Sequence, residues 1–153
     1  MRECGECTRC CYTMSVPEYN SPANSYCTNC NVGVGCSIHE EREQVCKNFS
    51  CLWLTQEQIP ESLRPDKCHV LFELPPNSMT YVGYVDQDHP DAYNEPNVRN
   101  LIQKITEAGH PVVLYQGDDK QKLYALPEGM TKEQVQEDVK NAYVQLKKAG
   151  RVE

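Results

Sequence analysis

Ten cysteines are placed so unevenly that they divide the chain in two. All lie between Cys4 and Cys68, and the remainder to Glu153 has none. Four fall in the opening MRECGECTRCCYTM, as Cys4, Cys7, Cys10 and Cys11. The stretch before residue 69 is poor in large aliphatic side chains, and a segment that small seldom holds itself together by apolar burial alone. Something else must hold the sulfurs. The break predicts a cysteine-rich module over residues 1–68 and a conventional module over 69–153.

Disulfides and metal are the two ways to staple such a segment. Disulfides need an oxidising compartment, and MRECGECTRCCY shows neither the apolar core nor the small-residue cleavage site of a secretory signal. A bridge within C-x2-C is strained and usually redox-active, whereas its two sulfurs converge easily on a third atom. The expectation is therefore metal, in a reducing, cytoplasmic-type compartment.

The spacings agree. Cys4, Cys7 and Cys10 form C-x2-C-x2-C, and Cys27 and Cys30 form a second C-x2-C in CTNC. Cys36 follows NVGVG, whose glycines permit a tight turn around an ion, and Cys46 lies in QVCKNFSC. Adjacent side chains tend to diverge, so Cys10 and Cys11 are expected to serve two sites, or one to bind and the other to pack inward. The ligand set expected is Cys4, Cys7, Cys10, Cys11, Cys27, Cys30, Cys36 and Cys46. Cys51 and Cys68 adjoin apolar runs and stay open between ligand and buried thiol. Soft thiolates suit both zinc and iron–sulfur clusters. C-x2-C-x2-C opens the bacterial ferredoxin run, which favours an iron–sulfur centre of the [4Fe–4S] kind, although the run does not continue to Cys-Pro here. Zinc, filling two tetrahedral sites with eight cysteines, is the other reading.

CGECTRCC, followed by CTNCNVGVGCSIHEEREQVCKNFSC, resembles the CxxCxxCC cysteine-cluster family of zinc- or iron-chelating domains. The resemblance covers about residues 4 to 74. It departs from the usual pattern at His39, where an aromatic is common, and at Glu43-Gln44, where Arg-Pro is usual. The resemblance implies a bacterial or phage-encoded chelating protein, with a phage particle among its settings. It also implies kinship with a cluster carried by much larger flagellin lysine-methylating enzymes.

From residue 69 the periodicities become regular. HVLFEL and TYVGYV read as strands about the turn former PPNS, and EPNVRNLIQKITEAG as a helix with Val98, Leu101, Ile102 and Ile105 on one face. PVVLYQ and QKLYAL flank GDDK as a hairpin. TKEQVQEDVKNAYVQLKKAG is a helix opened by a Thr131–Gln134 capping box, striped by Val135, Val139, Ala142, Tyr143 and Leu146, and stopped at Gly150. The order ββαββα predicts an α+β module of two layers, a four-stranded antiparallel sheet with both helices on one face.

Several function classes are disfavoured. A net charge of -7 offers no basic surplus for nucleic acid. Mean hydropathy is -0.66, and no apolar run approaches the roughly 18 residues of a membrane span. No phosphate loop, nucleophile elbow or dinucleotide fingerprint occurs. Asp86, Asp88, His89 and Asp91 could together bind a cation or serve as acid and base, but a polar loop is the simpler reading. His39, His69, His89 and His110 read mainly as ordinary surface or hydrogen-bonded imidazoles. The expected function is metal binding with a structural or interaction role and a protein partner. Electron transfer is the first alternative, and service as an accessory factor to a protein-modifying enzyme the second.

Overall fold

The computed structural model describes residues 2–13, 16–22, 24–116 and 121–148. Regular structure is sparse before residue 70. A five-residue helix α1 (Arg9–Thr13) carries the vicinal cysteines, and a minimal antiparallel hairpin pairs β1 (Cys30–Asn31) with β2 (Gly35–Cys36). Three short helices follow: α2 (Gln44–Asn48), α3 (Leu52–Thr55) and α4 (Pro65–Cys68). None reaches the length at which a helix stands without tertiary support.

The second half has the expected element order. Strands β3 (Val70–Glu73) and β4 (Tyr81–Val85) are joined through a turn in which Ser78 N–H donates to the Pro75 carbonyl and Asn77 takes φ 62°. Asparagine tolerates that left-handed backbone better than most residues. Helix α5 (Pro96–Glu107), strands β5 (Val112–Gln116) and β6 (Gln121–Ala125), and helix α6 (Lys132–Lys148) complete it. Pro96 occupies the first turn of α5, and Gly109 at φ 92° ends it. The capping box forms as expected: Thr131 N–H donates to Gln134 Oε1, and Gln134 N–H donates to Thr131 Oγ1. The GDDK loop and the stop at Gly150 lie outside the described residues.

The sheet order is β3-β4-β5-β6, and two features correct the expectation. First, the sheet is mixed: β4 and β5 run parallel, while the outer pairs are antiparallel. Helix α5 carries the chain back along the sheet before β5 begins, and such a crossover delivers the next strand in the same direction. Second, the helices lie on opposite faces, which makes three layers. Val70, Phe72, Val85, Val112 and Leu114 pack with Val98 and Ile105 of α5, whereas the alternate residues Val82 and Val113 pack with Val135 and Val139 of α6. Period-two alternation along the strands separates the two sets.

The face bearing α5 also carries the chain before residue 69. Leu52, Trp53, Ile59, Leu63 and Cys68 belong to the same buried cluster as Val70 and Phe72, so one core runs across that point in the sequence. Gly83 occupies the middle of this face. A Cβ there would meet Leu114 Cδ2 at 2.5 Å and Phe72 Cε1 at 3.1 Å. On the opposite face, Asp138 of α6 accepts from Ser78 Oγ (2.8 Å), Thr80 Oγ1 (2.7 Å) and Met79 N–H (3.2 Å), fastening the helix to the β3–β4 turn. Beside it, Tyr84 and Tyr143 each donate to Glu73 Oε1 at 2.9 Å, and their hydroxyls also lie 2.9 Å apart.

Candidate functional site

The cysteine-rich arm is tied down at its beginning. Arg2 donates to the carbonyls of Trp53, Gln56, Glu57 and Ile59 at 2.6–3.2 Å, and its guanidinium stacks over the Trp53 ring. Carbonyls around the end of α3 lack intrahelical donors, and one planar five-donor group serves them together. The first cysteines therefore start from an anchored backbone. Cys4 to Cys7 forms a turn closed by Cys7 N–H donating to the Cys4 carbonyl at 2.9 Å. Cys27 to Cys30 repeats that turn, with Cys30 N–H on the Cys27 carbonyl at 3.0 Å. Both turns are closed by the same kind of bond, although the first turns through Gly5 at φ 53° and the second has no residue of positive φ. Cys27 N–H donates to the Cys11 carbonyl, Cys30 pairs with Cys36 across the hairpin, and Gly33 N–H donates to Thr8 Oγ1. These bonds fold the second motif onto the first.

The thiols affect one another electrostatically. Cys10 is held down at about 7, first because the Cys11 thiol donates to its sulfur; burial opposes this, and Arg42 adds a smaller pull. The same bond is the main reason Cys11 is pushed up, followed by burial and the charges of Cys10 and Cys30. Burial comes first for the others. It raises Cys4 and Cys30, lifts Cys7 and Cys46 to about 11, and lifts Cys51 to about 12. The charge of Cys10 adds to every one of these five rises, and Cys27 and Cys36 add to that of Cys46. Cys10 is thus the charge that recurs most often among these shifts.

Three details bear on the cysteines singled out in the sequence. Cys10 and Cys11 sit next to each other in helix α1, where the Cys11 thiol is the main influence lowering Cys10. Cys51 joins the group through Cys4, Cys7 and Cys10. Cys68 feels the charge of Cys7 as well, but it is buried in the core, and its thiol faces the Leu63 and Val70 carbonyls. All ten cysteines are free thiols. Among the described residues, the group of ligand atoms lying within 4.8 Å of one another is that of His69, Asp86 and His89; no three sulfurs approach so closely. The sequence did not single out Arg2 or Arg42, whose roles depend on contacts distant along the chain.

That second group sits where β3 begins and β4 ends. Pairing of Val70 with Val85 places His69 beside Asp86, and Asp86 N–H donates to the His69 carbonyl at 3.0 Å. Asp86 Oδ2 lies 3.1 Å from His89 Nδ1, 3.6 Å from His69 Nδ1 and 2.8 Å from Arg9 Nη2. Its Oδ1 accepts from Asp88 N–H. The imidazoles are stacked, with centroids 3.6 Å apart and planes 8° from parallel. Arg9 lies over the Tyr12 ring, and Tyr12 Oη accepts from Gln87, so α1 is fastened to the same corner. Of the polar loop singled out in the sequence, Asp86 and His89 meet; Asp91 contributes no side-chain ligand to this group.

Comparison with family models, with curated proteins and with solved structures gives no match. Among the described residues, no helix is long and apolar enough to cross a membrane.

Proposed function

We propose that the protein binds metal through its N-terminal thiolates and acts through the surface which that metal rigidifies. The ligands are Cys4, Cys7, Cys10, Cys11, Cys27, Cys30, Cys36 and Cys46, and the centre is an iron–sulfur cluster or zinc in a reducing compartment. One observation carries the reading. Two C-x2-C turns, each closed by an N–H bond to the carbonyl of its first cysteine, lie on segments joined by Cys27 N–H on the Cys11 carbonyl and Gly33 N–H on Thr8 Oγ1, while all the cysteines remain thiols. The donor set fits the group: sulfur is abundant and soft, and either metal is held by such ligands. Thiolates brought this close repel, and a cation bound among them removes that cost. With sulfur in surplus, closed coordination is expected, which favours a structural over a catalytic centre. The partner for that surface is a protein, since an acidic chain offers nothing to a nucleic-acid backbone.

The test is metal analysis of anaerobically purified protein together with thiol titration of the native state. A brown preparation with charge-transfer absorbance identifies an iron–sulfur cluster, and a colourless one containing zinc identifies the other centre. Stoichiometric metal with protected thiols is the expected result. Eight or more freely reactive sulfurs in the native protein would overturn the reading.

A further inference from the structure

We propose that His69, Asp86 and His89 form a second, cysteine-free site for a borderline divalent cation of the zinc, cobalt or nickel type. The argument begins with an unmet need. His69 Nδ1 is shielded from solvent and has no hydrogen-bond partner; Asp86 Oδ2, at 3.6 Å, is beyond bonding reach. Buried polar atoms are nearly always satisfied, and one left bare asks for an explanation. The Asp86 carboxylate is itself almost fully buried, its side chain 4% exposed. Two imidazole nitrogens and one carboxylate oxygen thus converge from three backbone positions, all within 4.8 Å of one another.

The donor chemistry selects the ion. Two nitrogens and one oxygen suit zinc and its neighbours, whereas calcium and magnesium prefer oxygen throughout. The frame is rigid on two sides: His69 is fixed by the β3–β4 register, and His89 N–H donates to the Asp86 carbonyl at 2.9 Å. The third side yields. His89 is 50% exposed, and tilting its ring out of the parallel stack aims Nδ1 at an ion shared with His69. Its outer side faces solvent, so water or a substrate atom can complete the coordination. Arg9 remains on the carboxylate as an outer partner, the position from which charged groups commonly orient metal-bound carboxylates. Because Arg9 precedes Cys10, an ion here also ties helix α1 to the sheet. None of the three ligands is a thiol, so this site is independent of the thiolate centre.

The experiment uses the full chain with its thiolate centre loaded, labelled with 15N in histidine, and titrated with Zn2+. The expected result is a joint shift of the His69 and His89 Nδ1 resonances, saturating together, with His39 and His110 unmoved. A parallel Co2+ titration should give ligand-field bands without sulfur-to-cobalt charge transfer, and His89→Ala should abolish them while His39→Ala leaves them intact. This site rests on the thiolate reading for nothing but the loaded state of the protein: failure of that reading would show as freely reactive thiols in the native chain and would leave the histidine shifts. Histidine resonances that do not move, or move equally at all four positions, would overturn the proposal. Cobalt bands that survive His89→Ala in a folded variant would do the same.

Discussion

Single atoms decide two of the strongest constraints in this molecule. Gly83 lies between Phe72 and Leu114 on the α5 face, and the space its missing Cβ leaves is taken by the Leu114 methyl. Overpacking a core in this way costs about 1–3 kcal/mol, so Gly83→Ala should lower stability by that amount in a denaturant titration. Gly83→Ala with Leu114→Ala should not add the two single losses, because the second change removes the clash created by the first. Arg2 works through donors and not volume. Arg2→Ala leaves several carbonyls near α3 without their charged partner and uncovers one face of Trp53. Hydrogen bonds to charged groups contribute about 1.5–3 kcal/mol, part of which water returns at this half-exposed site. The expected outcome is faster hydrogen exchange over residues 2–13, with little change in β3 to β5. Uniform protection in the variant would show that the thiols alone hold the arm.

Elements are joined here by polar contacts whose charge state matters. Burial raises Glu73 above the ordinary carboxylate value, although the Tyr143 and Tyr84 hydroxyls pull the other way. With Glu73 protonated, three hydroxyl protons serve the three contacts of the Glu73–Tyr84–Tyr143 triangle; with it ionised, two protons must serve three. A raised folded pKa contributes stability that is full below the unfolded value and lost as pH rises through the folded one. Glu73→Gln should therefore remove a decline in stability on the alkaline side of the usual carboxylate range, read as the difference between wild-type and variant melting curves. Asp138 has the opposite sign. Burial pushes it up, but Thr80, Ser78 and the Met79 N–H together hold it below its ordinary value, so its contribution is present at neutral pH and lost as pH falls through the folded pKa. Asp138→Asn should flatten the acid limb. The elements so joined were largely legible beforehand. The α6 capping box and stripe, the α5 face and the strand alternation are local patterns. Strand direction was not, because alternation reads the same parallel or antiparallel. The face taken by each helix was hidden as well, since all four strands alternate and offer an apolar set to both sides.

Across the whole chain, the question is how far the metal supports the fold. The core that includes Leu52, Trp53, Ile59 and Leu63 continues into β3 and β5, so residues 52–68 share apolar burial with the sheet. The segment before Cys51 has little of that support. Structural zinc supplies roughly 10–16 kcal/mol of apparent binding energy in comparable peptides. Chelation should therefore abolish exchange protection before residue 51 while leaving residues 52–148 protected, measured by hydrogen exchange with and without chelator. Loss of protection throughout, or nowhere, would contradict this. The thiols of the candidate centre are proposed from spacing, which is a local pattern. Arg2 could not be found that way, because its acceptors lie 51 to 57 positions away and backbone carbonyls carry no sequence signal. His69 and Asp86 were noticed separately, and only the Val70–Val85 register places them side by side.

The distance between Arg2 and its acceptors also imposes an order in time. Ile59 is synthesised 57 residues after Arg2, and at translation rates of roughly 5–20 residues per second that gap is on the order of 3–11 s. Throughout that interval Cys4, Cys7, Cys10 and Cys11 exist on nascent chain without the Arg2 anchor, although residues 27–33, which bond to Thr8 and Cys11, are made sooner. Final closure of the arm must wait for the α3 carbonyls to be made. Newly made thiols thus pass through a window in which oxidation competes with assembly, and the reducing power of the surroundings during synthesis bears directly on the yield of correctly closed protein.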